Sequence, residues 1–470
     1  MSKVASARGV SIAVCALAAC QAALAQEPAP EPASAPAKEQ PLQEPKSDVG
    51  VAPMRRVVRS DQTAASSAPW RAGGFLLYPE ISATYMQDSN VFATKSDRIS
   101  DWAMIYTPAL WVNSDWDRHA LNFQAAADVT DYNSQKDENT NDWRVSGEGR
   151  YDFTNDLNAY GGLRYAREHL DREDKDARNG AEPTVYYNAR AYAGVFRQLD
   201  AWSVRIAGSA QNLNYDDVPG SEGNIINNDD QDRDRYTLGI RAGYGFSARM
   251  EGFAQAALDN RRYQNLDDVA EVFPVQAGGL KRDSDGYRLL LGARYSLPGK
   301  LKAEGFVGYL NQDYEDSRLA DVSKPAFGGN LIWQAAENTK LSLFLDRTVE
   351  ETNTNTSTVS VVLVPEGAVI QPVLTGIASS YLNTYVGATL DQRLNPSLGL
   401  YGNASFSRSD YQGVERVDDY TGVGLGLWYR AAKYLYLDGS YNYRYLLSTD
   451  NTQNFDRNQF FLRFTIPLIP

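Results

Sequence analysis

From Phe75 to the C-terminus, apolar and polar residues exchange places at every step for about a dozen residues. A turn then intervenes and the alternation restarts. The stretch Trp143-Arg144-Val145-Ser146-Gly147-Glu148-Gly149-Arg150-Tyr151-Asp152-Phe153 puts aromatic, aliphatic and glycine residues on odd numbers, charged and hydroxyl residues on even ones. A period of two is the mark of a β-strand. About eighteen such segments follow one another, and on nearly every one a face is apolar while the other carries Arg, Asp, Asn and Gln. A closed sheet with lipid outside and water inside has this pattern. The predicted fold is all-β, a transmembrane, antiparallel, up-and-down β-barrel of about 18 strands (range roughly 16–20).

The connections alternate in length. Short breaks follow the even-numbered segments, at Thr154-Asn155-Asp156, Gln198-Leu199-Asp200, Pro298-Gly299, Glu337-Asn338, Asn395-Pro396 and Ala431-Ala432. Longer ones follow odd-numbered segments, at about 88–101, 169–183, 216–234, 264–283, 350–378 and 448–457. Short on one side and long on the other is the asymmetry of outer-membrane barrels, which places both termini in the periplasm. From Trp143 to Phe153, ten steps of roughly 3.3 Å at a tilt of about 40° cover roughly 25 Å, the height of the apolar band. Trp143 and Tyr236 then belong to one aromatic girdle, and Tyr151, Phe153, Trp202, Tyr244 and Phe246 to the other. Two apolar runs, 359–364 and 368–374, flank Pro365-Glu366-Gly367 and lack the charged face of their neighbours. They could form a hairpin above the membrane, an inward constriction or two further wall strands; the missing charged face favours a hairpin within a loop.

Upstream, the rhythm is absent. Residues 1–25 have the form of a signal peptide: Lys3 and Arg8, an apolar run from Val10 to Ala19, then Ala23-Leu24-Ala25. Leu17-Ala18-Ala19-Cys20 also fits a lipoprotein cleavage box. Cys15 and Cys20 are the chain's two cysteines, so cleavage after Ala25 leaves none for disulfides or thiolate sites. Residues 26–73, rich in proline, alanine and polar groups, are expected to be a disordered periplasmic segment, with Met54-Arg55-Arg56-Val57-Val58-Arg59 a possible docking arm. The barrel proper is 74–470.

Composition agrees. The chain has 470 residues, 43% hydrophobic and 22% charged. Its mean hydropathy of -0.46 suits a barrel in which only alternate residues meet lipid. A net charge of -13 argues against nucleic acid as a partner. The 29 tyrosines suit membrane interfaces.

By parity the interior receives Arg144, Arg150, Arg164, Arg190, Arg205, Arg241, Arg288 and Arg294, all on segments four to ten. It also receives Asp128, Glu148, Glu304, Asp346, Asp391 and Asp438. One reading is a pore whose transverse field orients polar solutes; the other is that these charges pair with one another and hold water. Tyr186, Tyr192, Tyr401 and Tyr436 share the inner parity and offer faces that suit sugar rings. Asp229-Asp230-Gln231-Asp232-Arg233-Asp234 lacks the spacing and glycine of a calcium loop. His119 has outward parity. His169 stands near Asp171, Glu173 and Asp174, loosely like an acid–histidine protease site, but neither histidine makes an enzyme the expected reading. No metal or cofactor is expected. Pro79 and Pro467 lie on the two segments that must pair to close the barrel, where each removes a ladder donor.

Tyr78-Pro79-Glu80 with Tyr85 and Asp88-Ser89-Asn90-Val91-Phe92 resembles the opening of the family called putative β-barrel porin 2. Ser114-Asp115-Trp116-Asp117-Arg118-His119-Ala120-Leu121 resembles its second hairpin, and Gly149-Arg150-Tyr151-Asp152-Phe153-Thr154 and Arg167-Glu168-His169 continue the likeness. The family's first turn usually reads Asp-Asn where Ser89-Asn90 stands here, and the terminal Pro470 replaces the usual final aromatic residue. The resemblance implies integral residence in the outer membrane of a Gram-negative bacterium, amid lipid and lipopolysaccharide, after insertion by the barrel assembly machinery. Several relatives of this kind belong to exopolysaccharide export systems and pair with a periplasmic polysaccharide-export protein. The resemblance therefore implies an exit port for a secreted polysaccharide. A general diffusion porin and a structural or adhesive barrel with a closed lumen stay open beside it.

Overall fold

A computed structural model describes residues 69–468, apart from 175, 178, 179, 221, 222, 267–278, 354, 365 and 366. The signal peptide, the cysteines, the arginine-bearing stretch 54–59 and nearly all of the linker lie outside these residues.

Eighteen strands form the wall: β1 (Phe75–Asp88), β2 (Asp101–Ser114), β3 (Ala120–Tyr132), β4 (Thr140–Asp152), β5 (Leu157–His169), β6 (Val185–Leu199), β7 (Trp202–Tyr215), β8 (Arg233–Ser247), β9 (Met250–Tyr263), β10 (Ser284–Leu297), β11 (Leu301–Tyr314), β12 (Val322–Ala336), β13 (Thr339–Glu351), β14 (Ser380–Asn395), β15 (Leu398–Gln412), β16 (Val417–Ala432), β17 (Leu435–Ser448) and β18 (Phe455–Pro467). Each pairs antiparallel with the next, and β18 pairs with β1, so the sheet closes with no free edge in the wall. The hairpin expected near 359–374 is a separate two-stranded sheet, Asn355–Val364 with Gly367–Ile377, and adds nothing to the wall.

Large apolar side chains stay exposed on one face all round, among them Leu289, Leu291, Val307, Leu343, Leu425 and Leu427. A continuous apolar belt of this kind is covered by lipid rather than left to water. The strands run to 13–16 residues, beyond the roughly 9–11 that cross a bilayer. At the short-turn end, connections take two to five residues. At the other end they range from four residues, at 413–416, to 28 residues, at 352–379. The length asymmetry is thus not uniform. Gly413, at a φ of +95°, makes the tight turn at 413–416 because a Cβ there would meet the Ile377 carbonyl.

The closing seam is heavily bridged. Its ladder runs from Glu80↔Pro467 to Asp88↔Gln459. Pro79 and Pro467 sit at one end of it, where a missing donor costs least, and the Pro79 carbonyl accepts the Leu468 amide at 2.8 Å. Across the seam, Arg463 donates to Ser82 Oγ at 2.7 Å, and Gln459 and Arg457 donate to Asp88 at 2.7 and 2.9 Å. Past Pro467, a short strand, Trp70–Ala72, pairs with Phe75–Leu77 in place of β18, and its Trp70 indole donates to the Leu468 carbonyl at 2.5 Å.

Candidate functional site

Strand register decides which side chains share the inner face. Arg144 stands opposite Ala126 and Ala166, Arg164 opposite Ser146 and Arg190, and Arg205 opposite Phe196 and Arg241. Arg288 and Arg294 occupy the same face of β10 as Leu290, and Glu304, Asp346, Asp391, Asp438 and Glu148 continue that face on their own strands. The structure therefore sets the sequence-selected charges on the face opposite the apolar belt.

Most of these arginines already hold a carboxylate. Arg144 bonds Asp128 at 3.1 Å, Arg150 bonds Asp152 at 2.9 Å and Arg164 bonds Glu168 at 2.8 Å. Arg241 meets Glu304 with two parallel bonds of 2.9 and 3.0 Å and lies 3.5 Å from the Phe253 ring centroid. Arg288 bonds Asp346 at 2.9 Å, and Arg294 reaches Glu251 at 3.4 Å. Arg190 faces Gln211 in the ladder, and Arg205 packs over the Phe196 ring at 5.0 Å. Among the acids, Glu148 accepts from Asn122 at 3.2 Å and Tyr192 at 3.3 Å, and Asp438 accepts from Tyr401 at 2.8 Å. Asp391 faces Tyr401 across the β14–β15 ladder. Tyr186 stacks on Tyr215 at 5.2 Å, and Tyr436 faces Thr465.

The girdle residues lie on the outer face. Trp143 is edge-on to Tyr165 at 5.3 Å, Tyr151 to Phe153 at 4.9 Å, and Tyr244 contacts both Trp202 and Phe246 at 5.0 and 5.2 Å. Tyr236 is exposed near the opposite end of its strand. His119 stacks on Tyr151 at 4.3 Å. His169 bonds Asp142 at 2.7 Å, while Asp171 and Glu173 turn to other partners. Among the described residues no group of three or more metal-ligating side chains converges; in the 229–234 cluster, Asp232 instead accepts from the Tyr215 amide and from Asn214, both at 2.7 Å.

Two features escaped sequence reasoning. Arginine is not confined to β4–β10, because Arg444, Arg457 and Arg463 stand inward on β17 and β18. Parity alone could have found the last two: Arg457, Gln459, Phe461 and Arg463 alternate with outward Phe460, Leu462 and Phe464. The second feature is the β5–β6 connection, 170–184, whose described residues fold into the barrel rather than away from it. Asp171 bonds Arg457 at 2.8 Å. Glu173 accepts from Arg444, from Arg457 at 3.3 Å and from Tyr420 at 2.9 Å. Asp176 accepts from Thr352 Oγ1 at 2.6 Å. Arg172 donates to Glu138 at 2.9 Å and to the Gly180 carbonyl at 3.0 Å. The loop is thereby fixed to β16–β18 and to the β13–β14 connection, far round the wall from its own strands. Burial pushes the Asp171 carboxyl up, but the Arg457 and Arg444 guanidiniums outweigh it and hold it well below the ordinary range.

Between this loop and the wall lies a chamber of about 700 Å³. Among the described residues, ten arginines line it, including Arg144, Arg164, Arg190 and Arg235, with ten carboxylates, and Tyr186, Tyr215, Tyr263 and Tyr381 among them.

The family model for putative β-barrel porin 2 matches residues 67–364 and 363–467. The chain belongs to that family. It is a porin-type β-barrel of the outer membrane. No curated protein matches it. Solved structures of similar shape include the siderophore receptor PirA from Acinetobacter baumannii, at 7% identity and a TM-score of 0.47 over 83% of this chain and 80% of that one. A BenF-like porin from Pseudomonas fluorescens Pf-5 is similar at 10% identity and a TM-score of 0.40 over 83% and 99%. OpdO from Pseudomonas aeruginosa is similar at 11% identity and a TM-score of 0.40 over 84% and 97%. All three scores lie below 0.5.

Proposed function

We propose that this barrel is the exit port for a secreted, negatively charged polysaccharide, with both termini in the periplasm and the long loops outside. The observation that carries the reading is the chamber, where arginines from both walls lie among tyrosine rings. Guanidiniums recognise carboxylate or phosphate groups along a glycan, and tyrosine faces suit the apolar C–H faces of its rings. Transport would be driven from the periplasm by a polysaccharide-export partner, with the barrel supplying a wet, charged path. Deletion of the gene should abolish extracellular polymer while leaving polymer synthesis intact; normal secretion would remove this role.

A second reading is a diffusion channel for small anionic solutes. It is favoured by the loop across the lumen, since about 700 Å³ holds a short oligosaccharide rather than a wide thread. Planar-bilayer recordings separate the readings. A small-solute channel conducts steadily as isolated, whereas an export port conducts little until its polymer or partner is added. A structural barrel with a closed lumen conducts under neither condition.

A further inference from the structure

Arg444, Arg457 and Tyr420 come from three adjacent strands, β17, β18 and β16, and converge on the Glu173 carboxylate. The same guanidinium of Arg457 also takes Asp171. Glu173 is almost wholly buried by this arrangement. Two guanidiniums and a phenol around one carboxylate form a complete anion seat, and here its occupant is part of the chain itself. The loop also sets the charge of the chamber. Asp171, Asp174 and Asp176 are three of its ten lining carboxylates. Removing these three acids leaves seven among the described lining residues against ten arginines, so that part of the lining becomes more positive. A buried ion pair contributes little net stability compared with an apolar contact, and its best-attested use is as a register or switch.

We propose that the β5–β6 loop is a built-in competitor for an acidic glycan: its carboxylates hold the Arg444–Arg457–Tyr420 seat closed until the carboxylates of a uronic-acid polymer replace them. This rests on the polysaccharide reading above and names its substrate class as carboxylate-bearing. The competitor is tethered, so its effective concentration at the seat is on the order of millimolar. A single uronic acid must match that, whereas a polymer presenting many carboxylates need not. Loop release should therefore be triggered at lower concentration as the chain lengthens.

The loop carries its own reporter, because Arg172, Lys175 and Arg178 are trypsin sites. The full chain, folded in detergent micelles, is treated with limiting trypsin alone, with trigalacturonate, or with neutral maltotriose. Trigalacturonate should speed cleavage within 172–178 at least about fivefold, maltotriose should leave it unchanged, and monogalacturonate should need at least about tenfold more to act. Arg444→Gln should cleave fast without any sugar and respond to none. Tyr420→Phe keeps both guanidiniums and guards against misfolding of the first variant; it should raise cleavage without sugar above that of the unaltered protein and still respond to trigalacturonate. Equal cleavage with both sugars, or slower cleavage with trigalacturonate, overturns the proposal. Normal polymer secretion from a deletion strain would instead remove the export reading, whatever the loop does.

Discussion

The two walls of the lumen handle their arginines differently. On β4–β5, Arg150 takes Asp152 two residues on, Arg164 takes Glu168 four residues on, and Arg144 takes Asp128 from the neighbouring strand. These pairs form wherever the strands form, since each partner lies within a strand or one ladder away. On β16–β18, Arg444 and Arg457 take Glu173 and Asp171, 271 and 286 residues earlier in the chain. That pairing exists only while the 170–184 loop lies inside the barrel. One wall is neutralised by its own covalent pattern, the other by a segment able to leave. The lumen's field is therefore a property of loop position as much as of sequence.

The contrast should be largest in stability. Arg457 is 3% exposed and serves Asp88, Asp171 and Glu173 at once. Arg457→Ala leaves the buried Asp88 without its guanidinium, removes one of two cations from Asp171 and Glu173, and unties the seam, and should cost about 3–5 kcal/mol. Arg150 serves one acid, Asp152, and the pair keeps some contact with water at 22% and 17% exposure, so Arg150→Ala should cost less, about 1 kcal/mol. Urea unfolding of the detergent-folded barrel measures both, and equal midpoints would erase the distinction between the walls.

Arg241 tests an intermediate case, since its acid, Glu304, stands three strands away on β11 but still within the wall. Its fork on Glu304 is backed by the Phe253 ring, so Arg241→Gln should destabilise by about 2 kcal/mol. It should also uncover the Glu304 charge and move the reversal potential in a salt gradient toward cation preference. Adding Glu304→Gln should bring the potential most of the way back. If the double variant stays shifted, the two charges do not act as a unit.

How much of this was legible follows from the same contrast. Alternation along β4 or β8 fixes which side chains face inward, because a period of two admits no other assignment once one face meets lipid. Parity selects Arg144 through Arg294 for that reason, and the hairpin at 355–377 was readable because its runs lack an inner charged face. Their partners were partly readable, since Arg150 and Asp152 share parity. The clamp was not. Asp171-Arg172-Glu173-Asp174 reads as a solvated acidic loop, and alternation says nothing about a segment that is not a strand. Nothing local ties Glu173 to Arg444; only closure of the barrel brings β16–β18 within reach of the β5–β6 connection. His169 shows the same limit: it bonds Asp142, one strand away, while Asp171, two residues on, bonds Arg457.

The smallest effect separates acids held by arginine from acids held by amides. Asp171 answers to two guanidiniums and sits low. Asp232, in the β7–β8 connection, is buried and accepts chiefly from the Tyr215 amide and Asn214, with Asp229 close by. Burial dominates there and raises its carboxyl from 3.8 to about 6. The sign is set by linkage: a carboxyl that binds its proton more tightly in the folded loop stabilises that loop below 3.8, and the contribution is lost as pH rises through about 6. The 216–232 loop should therefore be better protected at pH 5 than at pH 7.5, by about 1 kcal/mol given screening at the rim. Hydrogen exchange of the Tyr215 amide, corrected for the intrinsic rate at each pH, reads this directly. Asp232→Asn keeps an acceptor for that amide and removes the titration, so its protection should be flat across the same range. A wild-type loop that is equally protected at both values would mean that the Tyr215 and Asn214 donors, rather than burial, govern this carboxyl, and that the two acids differ less than their surroundings imply.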